Sequence, residues 1–572
     1  MNRQPTQRGY DAHVSQALSQ PQPGGQAALL PRSHTRALAA CVALAFSVLA
    51  GQLVRLALDA DRSSGIWVSA MSASAGSTYA RPDIIDRAGR LLATDVQVPS
   101  LYADPTLVQD VDEAAEKLTG LFPELDQRHL RASLGDRSRR FVWVKRALAP
   151  ALAQRVHNFG LPGLAFVDEV RRTYPAGELG GHILGRVDID NRAVSGIERF
   201  IDEIGAAQLA VGARLSARAP LRLSLDLGVM HALEDELNSA MRRYQASGAA
   251  GIIMHAKTGE IAAAVSLPGV DPARAADGLD STRIDKLLAG TYELGSVMKF
   301  ITVAMAIEDG ARLDSLVDTA EPLTAGRFTI RDLYPLGRPM TLAEVFVRSS
   351  NVGAGQLALS AGAGRQRAFL ENLGLFKPIV TEAGPSAPPQ LPKHWGRAEQ
   401  ITISYGHGMA ISPLQFTAAA ASLLNGGVRV RPTFLAGGGT ASSSAEGGVR
   451  VDRVVRPETS AKLGELMRLN VTDPAGTGRR ADVAGYDVGG KTGTAEMARR
   501  GRYQAKSVIS SFLGVFPARD PAYVTFVMLF EPNGIADTDG EITAGRNAAP
   551  TTARIIARIA PLLQVAASPT GS

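Results

Sequence analysis

Ser296 and Lys299 are the pair with the clearest chemical potential. They stand three residues apart in Tyr292-Glu-Leu-Gly-Ser-Val-Met-Lys-Phe300, and Val297, Met298, Ile301, Val303, Met305 and Ile307 make the surrounding run apolar almost all round. A helix apolar on every side belongs in a core. At i and i+3, a serine and a lysine share a helix face and can touch. Burial disfavours the ammonium, so such a lysine can take a proton from a neighbouring hydroxyl. A serine in the first turn also feels the positive end of the helix dipole. Together these conditions make an acyl-transfer nucleophile with its own base. No other lysine in the chain has a serine three positions before it.

Two further groups complete a constellation. Thr341-Leu-Ala-Glu344-Val-Phe-Val-Arg-Ser349-Ser-Asn351 opens with a capping box and continues apolar, so one helix is expected to carry Ser349 and Asn351 to its far end. Gly490-Lys491-Thr-Gly-Thr494 lies in a stretch with strand character. There Lys491 offers a cation for a substrate carboxylate, and Thr492 and Thr494 offer hydroxyls. Gly493 would let a ligand backbone lie close against the strand. A second Lys-Thr-Gly at Lys257–Gly259 is read differently. It sits between two strand-like runs, Gly251–His255 and Ile261–Ser266, and is expected to be a solvated hairpin turn.

The elements that must position these groups follow from the surrounding pattern. Leu221–Asp226 alternates like a strand, a helix is expected near Val229–Arg242, and Pro413 suits the first turn of an Ala-rich helix ending at Asn425. Ser507–Phe516 and Tyr523–Phe530 are the natural antiparallel partners of the Lys491 strand, with Thr552–Leu563 a helix closing against the sheet. His407, in Tyr405-Gly-His-Gly408, reads as structural. Gly437–Gly448 is low-complexity and expected to be a loop.

The whole chain bounds the rest. Its 572 residues suffice for two or three domains, and a formal charge of +6 is small for that length. No basic run is interleaved with aromatics, so nucleic acid is not an expected partner. One cysteine precludes an intrachain disulfide, and the nine scattered histidines give no reason to expect a metal or other cofactor. Residues 1–36 are polar, Pro/Gly/Gln-rich and read as a disordered tail. Residues 37–58 form an apolar run of about 20 residues, enough for one transmembrane helix. Arg32 and Arg36 precede it, and Asp59 and Asp61 follow. The positive-inside rule then puts the tail in the cytoplasm and the remainder outside. Between 59 and 220 the composition is mixed α/β with glycine-punctuated turns, and its charged residues read as a salt-bridged scaffold.

The order Ser-x-x-Lys, Ser-x-Asn, Lys-Thr-Gly resembles that of penicillin-binding proteins and serine β-lactamases. Residues 221–565 are similar throughout to the penicillin-binding transpeptidase domain, an antiparallel sheet with a helical subdomain. Residues 37–220 resemble the anchor and pedestal of class B penicillin-binding proteins. Ser-Val-Met-Lys and Ser-Ser-Asn-Val-Gly are closest to the septal, FtsI-type branch; an elongation-type role is the alternative. Leu294, Pro82 and Ala193 depart from the family pattern, which has Pro, Gly and Gly there. The expected organisation is therefore a tail (1–36), a membrane helix (37–58), a pedestal (59–220), a transpeptidase domain (221–565) and a disordered end (566–572).

The resemblance implies a reaction. Ser296 would attack the bond between the terminal D-alanines of a peptidoglycan stem peptide, with Lys299 as base. It also implies that Ser349 relays a proton to the departing D-alanine and that Asn351 holds Lys299 and the substrate amide. Lys491, Thr492 and Thr494 would receive the carboxylate. β-Lactams would acylate Ser296, and the implied partners are a membrane glycosyltransferase and other division proteins at the bacterial cytoplasmic membrane. A β-lactamase would want a dedicated water-activating carboxylate and would not need the scaffold. A D,D-carboxypeptidase, or a non-catalytic division scaffold using the same fold, are the remaining readings.

Overall fold

The computed structural model describes Ser47, Gln52 and residues 81–210, 219–325, 328–437, 452–499 and 502–567. The expected membrane helix (apart from Ser47 and Gln52), the tail at 1–36, the last five residues and most of the 437–448 loop lie outside these. Among the described residues no helix is long and apolar enough to cross a membrane.

The first domain is built on a long strand, β1 (Leu91–Ala103). Helices α1 (Val111–Leu121) and α2 (Gln127–Gly135) follow it, then β2 (Val142–Lys145), β3 (Leu164–Thr173) and α3 (Gly196–Ala210). Both β2 and β3 pair antiparallel with β1. Asp110 and Asp126 cap α1 and α2 by accepting from backbone N–H groups three residues on. The charged residues of this domain form a buried network. Arg172 donates to Glu198 at 2.7 Å, to Asp95 at 3.2 Å and to the Pro82 carbonyl at 3.0 Å, while Arg81 grips Glu198 and Asp202. Pro82 and Ala193, the two departures from the family pattern that fall in this domain, are both tied into it, Ala193 through its N–H to Asp202.

In the second domain, α4 (Leu227–Tyr244) leads to β4 (Gly248–His255) and β5 (Ile261–Leu267). The turn between them holds the second Lys-Thr-Gly, where Lys257 is exposed and paired with Asp520. The helical part then runs through α5 (Lys299–Glu308), α6 (Leu342–Val347), α7 (Asn351–Ala361), α8 (Pro413–Leu424) and α9 (Pro457–Thr472). The chain returns to the sheet as β6 (Gly489–Arg499), β7 (Arg502–Phe516) and β8 (Tyr523–Phe530), and closes with α10 (Ala548–Leu562). The strand order is β6-β7-β8-β4-β5, antiparallel throughout. Strands β4, β5 and β8 are buried along nearly their whole length. That fits a sheet covered on both faces, with α4 and α10 packed together and α8 and α9 against β8 and β6.

Every residue of α5 from Lys299 to Ile307 is buried. Phe300, Ile301, Val303, Met305 and Ile307 are each at most 2 % exposed. At about 2 kcal/mol per buried side chain, these five outweigh the few kcal/mol lost by desolvating one amine. A lysine can therefore be held inside this helix.

Candidate active site

Ser296 sits in a 3-10 turn, Gly295–Met298, that runs directly into α5. Gly295 has φ +60°, and a Cβ there would lie 2.6 Å from the Thr494 carbonyl oxygen. Only glycine lets this turn press against β6, which brings the Ser296 turn beside Thr494. Gly493 serves the same contact from the other side: a Cβ would strike the Leu294 carbonyl and Val297. Gly493 thus has a structural role beside the expected one of giving room to a ligand backbone.

Lys299 is 1 % exposed, with Nζ 3.0 Å from Ser296 Oγ and 3.0 Å from Ser349 Oγ; it donates to the Ser349 carbonyl at 2.5 Å. Lys491 is fully buried. Its Nζ lies 3.0 Å from the same Ser349 Oγ, 3.2 Å from the Thr492 carbonyl and 5.8 Å from the centre of the Phe346 ring. Burial, then the positive charge of Lys491, hold the Lys299 amine well below the usual lysine range, opposed by Asp332. Burial alone brings Lys491 down to about 7.

The capping box at Thr341 and Glu344 is formed as expected, yet the helix it starts ends at Val347. Ser349 takes the left-handed conformation, φ +58°, and Asn351 begins a separate helix, α7. One helix does not carry both residues. Backbone bonds from Ser349 N–H to the Phe346 carbonyl (3.1 Å) and from Ser350 N–H to the Val345 carbonyl (2.9 Å) close α6 in this turn. The Asp332 carboxylate fastens the start of α7, accepting from Ser350 Oγ (2.5 Å), Asn351 N–H (2.6 Å) and Val352 N–H (3.0 Å). It satisfies two orphan donors at the start of α7, where the helix dipole favours an anion. The Asn351 side chain donates to the Arg331 carbonyl at 3.5 Å, while the Lys299 amine bonds to Ser296 and Ser349 instead of the Asn351 amide oxygen.

Thr492 meets Thr477, hydroxyl to hydroxyl, at 2.7 Å. Behind them Asn470, fully buried, donates to the Gly490 carbonyl at 2.7 Å and accepts from the Thr477 N–H at 3.1 Å. Thr494 accepts from the Ala544 N–H at 3.1 Å. Ser296, Ser349, Asn351, Thr492 and Thr494 line one open cleft of about 880 Å³, together with Asp332, Thr477, Arg479, Arg480 and Arg546. His407 lies outside it, its Nδ1 3.2 Å from Glu293. Sequence reasoning overlooked Asp332, Asn470 and Thr477, which lie outside the three short motifs.

Residues 249–557 match the penicillin-binding protein transpeptidase domain, and residues 78–199 match the penicillin-binding protein dimerisation domain. A probable peptidoglycan D,D-transpeptidase FtsI of Caulobacter vibrioides is 38 % identical over 498 residues, 85 % of this chain and 82 % of that one. The chain belongs to the FtsI-type class B penicillin-binding proteins. A probable peptidoglycan D,D-transpeptidase PenA of Neisseria meningitidis is 30 % identical to this class B protein over 79 % of it and 80 % of the relative. The peptidoglycan D,D-transpeptidase FtsI of Escherichia coli is 27 % identical over 89 % of both chains. The family assignment makes this penicillin-binding protein a serine transpeptidase with a dimerisation-type domain ahead of its catalytic domain.

Proposed function

We propose that the protein cross-links peptidoglycan stem peptides at the division septum, through an acyl-enzyme on Ser296. The observation that carries this reading is the convergence of Ser296, Lys299 and Lys491 on the Ser349 loop, from three distant parts of the chain. Lys299, kept neutral by burial, takes the Ser296 proton as Oγ attacks the carbonyl between the terminal D-alanines. The N–H groups of Ser296 and Thr494 stabilise the oxyanion, since the turn carrying one abuts the strand carrying the other. Ser349, between the two amines, passes a proton to the departing D-alanine. Lys491, Thr492 and Thr494 receive the terminal carboxylate, and Asn351 faces the substrate amide across the cleft. An amine of a neighbouring stem peptide then replaces the ester bond with an amide. β-Lactams acylate the same serine.

The apolar run at 37–58 supports a single-pass anchor in the bacterial cytoplasmic membrane, with both folded domains outside and a glycosyltransferase and other division proteins as partners. The septal role follows the FtsI names of the relatives. Ser296→Ala is expected to abolish labelling by a fluorescent penicillin while the melting transition is retained. Labelling at full stoichiometry in that variant would overturn the assignment of the nucleophile. A fluorescent fusion spread along the side wall instead of at mid-cell would overturn the septal reading.

A further inference from the structure

Several large apolar side chains of the described residues stand in water, among them Leu279, Leu316 and Val380, but the pair that follows Asp332 does so at the reaction centre. Leu333 and Tyr334 are 76 % and 73 % exposed, yet both line the catalytic cleft. Adjacent apolar side chains standing in water on the wall of a ligand cleft are placed to be covered when that cleft is filled. They are also held in place: the preceding carboxylate is fastened to Ser350, Asn351 and Val352. The pair is therefore presented at a set distance from Ser349. The same cleft is lined by Arg479, Arg480 and Arg546, the last of them paired with Asp539 and Glu541.

The chemistry of the second half-reaction says which substrate passes here. Ser349, whose hydroxyl touches both lysines, marks the side of the ester from which the leaving amine departs. An incoming amine must occupy that same position, because it forms its bond along the path by which the first amine broke away. The amine nitrogen attacks the ester carbonyl, the C–N bond forms, and the C–Oγ bond of Ser296 breaks. The amine proton returns through Lys299 to Ser296 Oγ. The chain that carries the amine must then run outward past Ser349, over the segment that Asp332 secures.

We infer that Leu333 and Tyr334 form the docking surface for the acceptor stem peptide, the aliphatic arm bearing its amine lying against them and its carboxylates turned to Arg479 and Arg480. This rests on the transpeptidase reading and deepens it by separating the acceptor's binding surface from the donor's.

The test uses the full chain, a synthetic pentapeptide ending in D-Ala-D-Ala as donor and a tetrapeptide with one free side-chain amine as acceptor. In the double variant Leu333→Ser/Tyr334→Ala, the ratio of cross-linked to hydrolysed product should fall by about tenfold at fixed acceptor, as expected for losing two apolar contacts. Raising the acceptor concentration should restore it. Acylation by fluorescent penicillin, which needs no acceptor and also reports folding, should stay within about threefold of the native chain. The conservative pair Leu333→Met/Tyr334→Phe should keep the native ratio. An unchanged ratio in the first variant would overturn the inference, as would a loss of acylation that leaves the ratio alone. If the native chain released only hydrolysed peptide, the transpeptidase reading itself would fall, and the docking surface with it.

Discussion

Lys299 and Lys491 converge on a single hydroxyl, each with its Nζ 3.0 Å from Ser349 Oγ. Two buried ammonium groups sharing one small acceptor repel each other and are poorly solvated, so both cannot be charged without a large penalty. Lys299 is depressed by burial and by Lys491's charge, Lys491 by burial alone. The arrangement therefore settles with Lys299 neutral and Lys491 keeping the shared proton. That division of labour gives a base beside Ser296 and a cation beside Thr492.

The pH dependence of acylation follows. In the free protein burial brings the Lys491 amine down to about 7, so the cation proposed to receive the carboxylate is lost as pH rises through that value. The second-order rate of penicillin acylation should decline on the alkaline side with an apparent midpoint near there. Lys491→Arg keeps its charge at all accessible pH. Even with a lower plateau, that variant should show no alkaline decline below about pH 10. A decline at the native midpoint in Lys491→Arg would mean that another group controls it.

Stability carries the opposite reading of the same lysine. Unfolded, Lys491 has the ordinary pKa of about 10.4 and binds a proton that the folded chain gives up near 7. Between these values the unfolded state holds more protons, so this lysine makes stability rise with pH and fall as pH drops towards 7. Its burial then costs on the order of 4 kcal/mol at pH 7, shrinking to nothing above about 10.5. Lys491→Met should accordingly raise the unfolding free energy at pH 7 and give a much smaller gain at pH 10, measured by urea titration at the two values.

Asp332 is the carboxylate that caps α7 immediately after the left-handed Ser349. Asp332→Ala leaves the Asn351 and Val352 N–H groups and the Ser350 hydroxyl without their partner, a loss of about 1–2 kcal/mol by analogy with helix caps. The larger effect should be kinetic. With the break between α6 and α7 released, the hydroxyl shared by the two lysines moves, and acylation is expected to slow by roughly 10- to 100-fold. Stopped-flow measurement with a chromogenic β-lactam checks this, and a native rate would show that α6 and α7 hold the loop unaided.

The same residue explains the limits of what could be read from the chain. Ser296 and Lys299 were legible because three residues along a helix bring side chains together whatever else the fold does. The hairpin at Lys257 was legible from alternation on both sides of a glycine turn. The break at Ser349 was not. No glycine or proline marks it, and the carboxylate that caps the helix beyond it, Asp332, stands 17 residues upstream of Ser349. Gly493 was placed correctly in a strand, but its packing against the nucleophile turn was not legible, because that turn comes from almost 200 residues earlier (Val297 against Gly493). Asn470 and Thr477 lie on a helix and a loop with no periodic signal, and their chemistry exists only once β6 lies against α9.

Asn470 supplies the last prediction. Its amide holds the Gly490 carbonyl with one end and Thr477 with the other, and Thr477 in turn meets the hydroxyl of Thr492. Asn470→Ala strands a carbonyl and an N–H in a site with no exposure, which costs about 1–3 kcal/mol for each group. Asn470→Asp keeps the size but sets a carboxylate oxygen against the Gly490 carbonyl, so it should not rescue. Neither change touches Ser296 or Lys299. The loss should therefore fall on carboxylate recognition: the apparent dissociation constant of a penicillin before acylation should rise about tenfold, while the limiting acylation rate changes far less. If the limiting rate collapsed and the dissociation constant held, Thr492 would owe its orientation to β6 alone, and the chain from Asn470 would be scaffolding.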